Sequence, residues 1–154
     1  MIHDERGNAL VEFALSASIL FVVLFGIMET SRAIYSYHFV TYAAQEGARY
    51  AVVHGGDWPN VCSSTVIFGC KASDSDVQTY VRNLTPPGLD SSSVTVTRTW
   101  LNTSPNCTSS CTCAPNLRGC YVKVKVAYSF SFSVPFLPTS ALNLVGTSVK
   151  VIQQ

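Results

Sequence analysis

The stretch that decides the fold begins Gly7-Asn8-Ala9-Leu10-Val11-Glu12-Phe13 and runs on to Ala43-Ala44-Gln45-Glu46-Gly47-Ala48-Arg49-Tyr50-Ala51. No proline interrupts it before Val53. From Phe13 to Met28 it is apolar apart from Ser16, Ser18 and Gly26. As a helix, residues 9–28 rise about 30 Å, close to the hydrocarbon thickness of a bilayer. Residues 19–25 are apolar on every side of that helix, which suits lipid and not a one-sided core. Further along the pattern changes. Tyr37, Val40 or Thr41, Ala44, Gly47 or Ala48, and Ala51 recur at spacings of three and four. That is one helix face with a core to cover. Its small residues let a sheet or a second helix come close. One helix over residues 8–53 would be roughly 70 Å long, half in lipid and half out.

Glu12 is the one residue that does not suit this surrounding. A lone carboxylate within a span costs roughly 2.5 kcal/mol or more unless it is neutralised or paired. Two readings follow: a functional acid that needs a partner, or a side chain at headgroup level that reaches back to water.

Gly7 followed by Glu12 and Phe13 resembles a prepilin-peptidase site, with glycine before the cut, glutamate fifth after it and an aromatic sixth. The segments Val11-Glu12-Phe13-Ala14-Leu15, Gly26-Ile27-Met28-Glu29, Arg32-Ala33-Ile34-Tyr35 and Glu46-Gly47-Ala48-Arg49-Tyr50-Ala51 resemble the TadE-like pseudopilins of tight-adherence (Tad/Flp) pili. The resemblance covers residues 6–53, and beyond them the likeness is architectural. It implies a leader at residues 1–7 cut between Gly7 and Asn8, a membrane-spanning part at 8–28, and a pilin-like periplasmic or extracellular domain at 29–154. The implied partners are other pilins or pseudopilins, a prepilin peptidase, an inner-membrane assembly platform and the membrane itself. In a filament core, the new Asn8 ammonium of one subunit is the natural partner for Glu12 of the next. Such a charge pair is costly when misregistered, so it can set axial register.

Composition agrees with a membrane-associated or secreted chain. Charged residues make up 12% of the 154, about half the usual share, and mean hydropathy is +0.25. The net charge of +1 gives no footprint for nucleic acid. Residues 1–7 are short and polar, and the apolar stretch follows the proposed cut, so this is not a secretory signal peptide. Arg6 on one side of the span and Arg32 on the other leave the positive-inside count tied.

The cysteines orient the chain instead. All six lie beyond the span: Cys62, Cys70, Cys107, Cys111, Cys113 and Cys120. An even number in a small domain reads as disulfides in an oxidising compartment. Cys62 with Cys70 is the local pairing. A Cys111–Cys113 bond would be strained. If the last four pair among themselves, either Cys107–Cys111 with Cys113–Cys120 or Cys107–Cys113 with Cys111–Cys120 remains. The rival is zinc on those four thiolates, although zinc sites more often use a close cysteine pair on each side.

His54-Gly55-Gly56-Asp57-Trp58-Pro59 should end the long helix, its glycines taking the left-handed conformation of a helix stop. Residues 73–84 read as a second helix, capped by Ser73 or Asp74, with Val77, Tyr80, Val81 and Leu84 as its apolar stripe. Residues 94–100 alternate and form a strand. So do residues 121–134, with Val122, Val124, Val126, Tyr128, Phe130, Phe132 and Val134 on one face. A cysteine-rich loop, residues 102–119, joins them. After a turn-rich excursion at 135–144, residues 146–152 make a last strand with Val149 and Val151 inward. The fold class is α+β: a long N-terminal helix packed on a small antiparallel sheet, with one short extra helix.

No paired catalytic groups, phosphate loop or nucleotide motif is present, so neither enzyme activity nor a cofactor is expected. His54-Gly55-Gly56 lacks the nucleophile motif an oxyanion loop would serve. His3 and His38 have no second ligand at helical spacing. The sequons at Asn83 and Asn102 are chance matches in a chain of this kind. The functional expectation is a minor pilin or pseudopilin acting in pilus assembly, priming or tip formation. The alternatives are a static bitopic assembly factor, or an adhesive module whose contact surface is the cysteine-rich loop.

Overall fold

The computed structural model describes residues 5–55, 58, 60–63, 65, 69–101, 119–133 and 141–152. Helix α1, Glu5–Val53, has 49 residues and is about 73 Å long. Two short strands follow, β1 (Asn60–Val61) and β2 (Cys70–Lys71), paired in parallel. Then come helix α2 (Asp74–Asn83), a single 3₁₀ turn at Ser91–Ser93, and strands β3 (Val94–Leu101), β4 (Tyr121–Phe130) and β5 (Leu142–Val151). The last three form an antiparallel sheet in the order β3-β4-β5. This is the expected α+β architecture.

The core lies between the distal half of α1 and one sheet face. Phe39, Val40, Ala43, Ala44, Ala48 and Ala51 meet Val94, Val96, Val122, Val124, Val126, Phe130 and Leu144. The buried line on the helix runs through Ser36, Val40, Ala43, Ala44, Gly47, Ala48 and Ala51. Tyr37 lies off that line and is 52% exposed, contrary to the face read from the sequence. Phe39 fills its place.

Helix α2 closes the third side. Its capping box is complete: Asp76 N–H donates to Ser73 Oγ at 3.3 Å, and Ser73 N–H donates to Asp76 Oδ2 at 2.7 Å. Val77 and Val81 are fully buried against Gly47 of α1. Tyr80 stacks on Tyr50, with ring centroids 4.4 Å apart.

Two expectations are corrected. The last strand starts at Leu142, and Val149 and Val151 do not face the core. Register pairs Val126 with Gly146, Val124 with Ser148 and Val122 with Lys150. Since Val122, Val124 and Val126 point at α1, the even-numbered β5 residues do too. There is no room for large side chains there: a Cβ on Gly146 would lie 2.5 Å from Val40 O. From Gly146 to Lys150 small and polar residues therefore face the helix, and the valines turn outward. The expected glycine stop lies partly outside the described residues, as Gly56 does. The final carbonyls are met by Trp58 Nε1–H on Val53 O at 3.1 Å, and by the His54 N–H and Nδ1–H on Tyr50 O.

Gly146 and Gly47 make a contrasting pair. The Gly146→Ala methyl meets fixed helix backbone and should cost about 1–3 kcal/mol. Gly47→Ala pushes on the Val81 side chain, 2.8 Å away, but gains roughly 1 kcal/mol of helix propensity. Its net effect should lie within about 1 kcal/mol of zero. Chemical denaturation of both variants in detergent checks the order. Equal losses would show that the helix does not approach the sheet most closely at Gly146.

Candidate functional site

The proximal half of α1 touches nothing. Every large apolar side chain from Leu10 to Met28 is at least 52% exposed. No 18-residue stretch of any other described helix is long and apolar enough to cross a membrane. The polar atoms of this segment look after themselves. Ser18, Thr30 and Ser31 each donate a hydroxyl to the carbonyl four residues back, at 2.7–2.8 Å. Such back-bonding hides a hydroxyl from an apolar surrounding. Glu12 has no such device. It is exposed, and none of the ion pairs among the described residues involves it. Gly7, Asn8 and Phe13 lie on the same bare helix, which continues past the proposed cut to Glu5. A Cβ on Gly7 would meet nothing within 4 Å.

The change from bare to packed is abrupt. Met28 is 62% exposed and Glu29 only 7%. Glu29 Oε1 accepts from Arg32 Nη1 at 2.8 Å, one helical turn on. Arg32 also donates to Ser133 Oγ at 3.3 Å, and its guanidinium lies 5.6 Å from the Phe130 ring centroid. This clasp ties the foot of the domain to the helix where the span ends. The other carboxylate oxygen, Oε2, is buried without a partner. Both residues fall in motif segments quoted above, but the sequence reading gave them no role. The three-residue spacing of acid and base was the available signal.

The far end of the domain holds the disulfide. Cys62 is bonded to Cys70, with Cα atoms 4.8 Å apart, as the local pairing anticipated. Cys120 is also disulfide-bonded. Cys107, Cys111 and Cys113 lie outside the described residues, and so does the alternative between their pairings. His54 has a ring nitrogen within 4.8 Å of both sulfurs of the Cys62–Cys70 pair. With both sulfurs in the bond, no thiolate remains there for a metal.

Beside it, Arg98 joins β3 to α2. It pairs with Asp74, donates to Ala72 O at 3.1 Å and stacks 4.4 Å over Trp100. Burial lowers its pKa more than the Asp74 carboxylate raises it. Burial likewise raises the Tyr50 pKa, with Asp76 adding to the effect. These groups fasten the domain together, and no nucleophile stands beside a base among them.

A bare apolar helix emerging from a small α+β domain fits a membrane-anchored architecture. Residues 7–49 match the family model described as TadE-like protein. The matched segment spans the bare half, the Glu29–Arg32 clasp and most of the packed face. No curated protein and no solved structure matches the chain.

Two outcomes test this geometry. Arg32→Ala strands the Glu29 carboxylate without a counter-charge and should cost about 1–3 kcal/mol, since Arg32 itself is half exposed. Glu29→Gln keeps an acceptor for Arg32 and should cost less. Urea titration of the two variants gives the comparison, and the reverse order would mean that the clasp does not hold the helix. Replacing Cys62 and Cys70 together by alanine should lower stability by about 2–3 kcal/mol, the chain entropy of the loop they close. Protease resistance and thermal melting of the variant measure it. Six free thiols in natively purified protein would contradict the disulfide altogether.

Proposed function

We infer that the protein is a minor pilin or pseudopilin of a tight-adherence pilus. The observation that carries this reading is the bare half of α1, with Glu12 on it and Gly7 just before it, inside the segment that matches the TadE-like model. In this reading a prepilin peptidase removes residues 1–7. The mature helix waits in the inner membrane with the domain in the periplasm. The apolar surface then leaves lipid for other apolar helices as the subunit enters, primes or tips a filament. The protein is a substrate of the peptidase and a partner of the assembly platform, and it performs no catalysis of its own.

Glu12 supplies register. Leaving lipid for a filament core is nearly neutral for apolar side chains, since both surroundings are apolar. The charged groups decide the alignment. The Asn8 ammonium of a docked subunit needs an acid at the right height, and Glu12 of its neighbour provides one.

The experiment compares the wild type, Glu12→Ala and Glu12→Gln for membrane level, cleavage and recovery in sheared filaments. Glu12→Ala should insert at least as well as the wild type, because an isolated acid opposes insertion. Its incorporation should fall roughly a hundredfold or more, because an unpaired buried ammonium costs about 3–5 kcal/mol. Glu12→Gln should be intermediate. Mature protein beginning at Asn8 is expected on mass spectrometry. An intact Met1 in cells with active peptidase would favour a static anchor. Normal incorporation of cleaved Glu12→Ala would remove the register role.

A further inference from the structure

Among the described residues, strand β5 is an open sheet edge. Ile152 N–H donates to Cys120 O at 2.9 Å, so the even-numbered residues of the β4–β5 ladder exchange hydrogen bonds with β4. The odd-numbered residues, from Asn143 to Val151, therefore turn their N–H and C=O groups outward. Those groups make no hydrogen bond among the described residues. The opposite edge is guarded, since α2 lies beside β3 and Arg82 donates to Val94 O at 3.4 Å. Strand β5 has ten residues and no proline. Val145 and Val151 are 42% and 37% exposed. Long apolar edges are usually blunted, and here Lys150 is the only charged residue.

The charges carried by the two strands at this edge have one sign. Strands β4 and β5 contain Lys123, Lys125 and Lys150 and no acid. Lys123 and Lys125 stand opposite Val149 and Thr147 on the outer face. On the helix side, Arg49, Val52, Val53, Lys150 and Val151 line a cleft of about 410 Å³. Arg49 is partly satisfied by Glu46 at 3.1 Å. Lys150 has no ion-pair partner among the described residues.

We propose that the β5 edge is a docking site for an extended acidic segment of a partner protein, added to the sheet as a fourth strand. Its backbone pairs with the outward groups of Val145, Thr147, Val149 and Val151. Alternate side chains divide between the two faces. Aliphatic ones cover Val145 and Val149 on the outer face, and acidic ones reach Lys150 and Arg49 on the helix side. A second copy of β5 does not fit this role. It brings lysine and no acid. Antiparallel edge-to-edge pairing would also point the two α1 helices in opposite directions, because β5 runs alongside α1 from Val40–Gly146 to Val53–Val151. Two bare spans could not then enter one membrane.

The test uses the full chain in detergent micelles and an eight-residue peptide alternating valine and glutamate. A peptide alternating valine and lysine is the control. Amide hydrogen exchange at Val145, Thr147, Val149 and Val151 should slow at least tenfold with the glutamate peptide. The lysine peptide should bind at least tenfold more weakly. Lys150→Glu should narrow or reverse that preference. Val149→Pro deletes one outward donor and spares the β4 ladder, so it should weaken binding about tenfold. If that variant misfolds, a glutamate peptide methylated on its edge-facing amides takes its place and should not bind. The proposal fails if neither peptide slows exchange, or if both bind equally. It also fails if the same amides are protected without peptide in a dimeric protein, which would make a second copy the occupant.

Discussion

One uninterrupted helix serves two surroundings, and the rest of the structure follows from where it passes between them. Below Glu29 α1 is open on every side, and from Phe13 to Met28 it is apolar apart from Ser16, Ser18 and Gly26. Above it, one side carries alanine, glycine and valine against a sheet that approaches closely enough to require Gly146. Among the described residues no other element is long enough to organise the domain. Helix α2 and all three strands of the main sheet take their inward faces from this one contact. A proline or a bulky residue along residues 40–51 would therefore disturb the whole core and not a single element.

The transition itself is polar. Glu29 is the first buried residue on the helix, and Arg32 and Ser133 tie it to the foot of the sheet. A buried acid with one free oxygen is a poor source of net stability, because removing it from water offsets much of the pairing. It does fix which turn of the helix meets the domain edge. The apolar segment thus begins at a defined height below the domain.

Much of this was legible because the sequence pattern has long periods. The apolar run at 13–28 and the small-residue recurrence to Ala51 needed only counting. Alternation showed β3 and β4, and a cap at Ser73 or Asp74 with the stripe Val77, Tyr80, Val81 and Leu84 marked α2. What failed had weaker or contradictory local signals. Val149 and Val151 look like core residues, but their orientation is set by pairing to β4 and by the depth of Val40, neither visible in the segment itself. Tyr37 falls near the buried line at helical spacing and misses it by part of a turn. The β1–β2 ladder is two residues long, too short for any side-chain period. The Glu29–Arg32 clasp was hidden by its position: a charge beside an apolar run reads as the end of a span. Glu12 stood out as a lone acid beside an apolar run, and Gly7 was found by its spacing to Glu12 within a resemblance.

The alignment of strands with helix has a mechanical meaning. Arg32 sits by Phe130, Gly47 by Val124, Val40 by Gly146 and Val53 by Val151, so β4 and β5 both lie along α1. A pull on the N-terminal half of the helix therefore loads the helix–sheet contact in shear. Every contact along the seam must slide together, with Gly146 seated against the Val40 carbonyl like a key in a slot. Peeling would break the same contacts one at a time under a far smaller load. A chain built this way can pass tension from its tail to its head without opening its core.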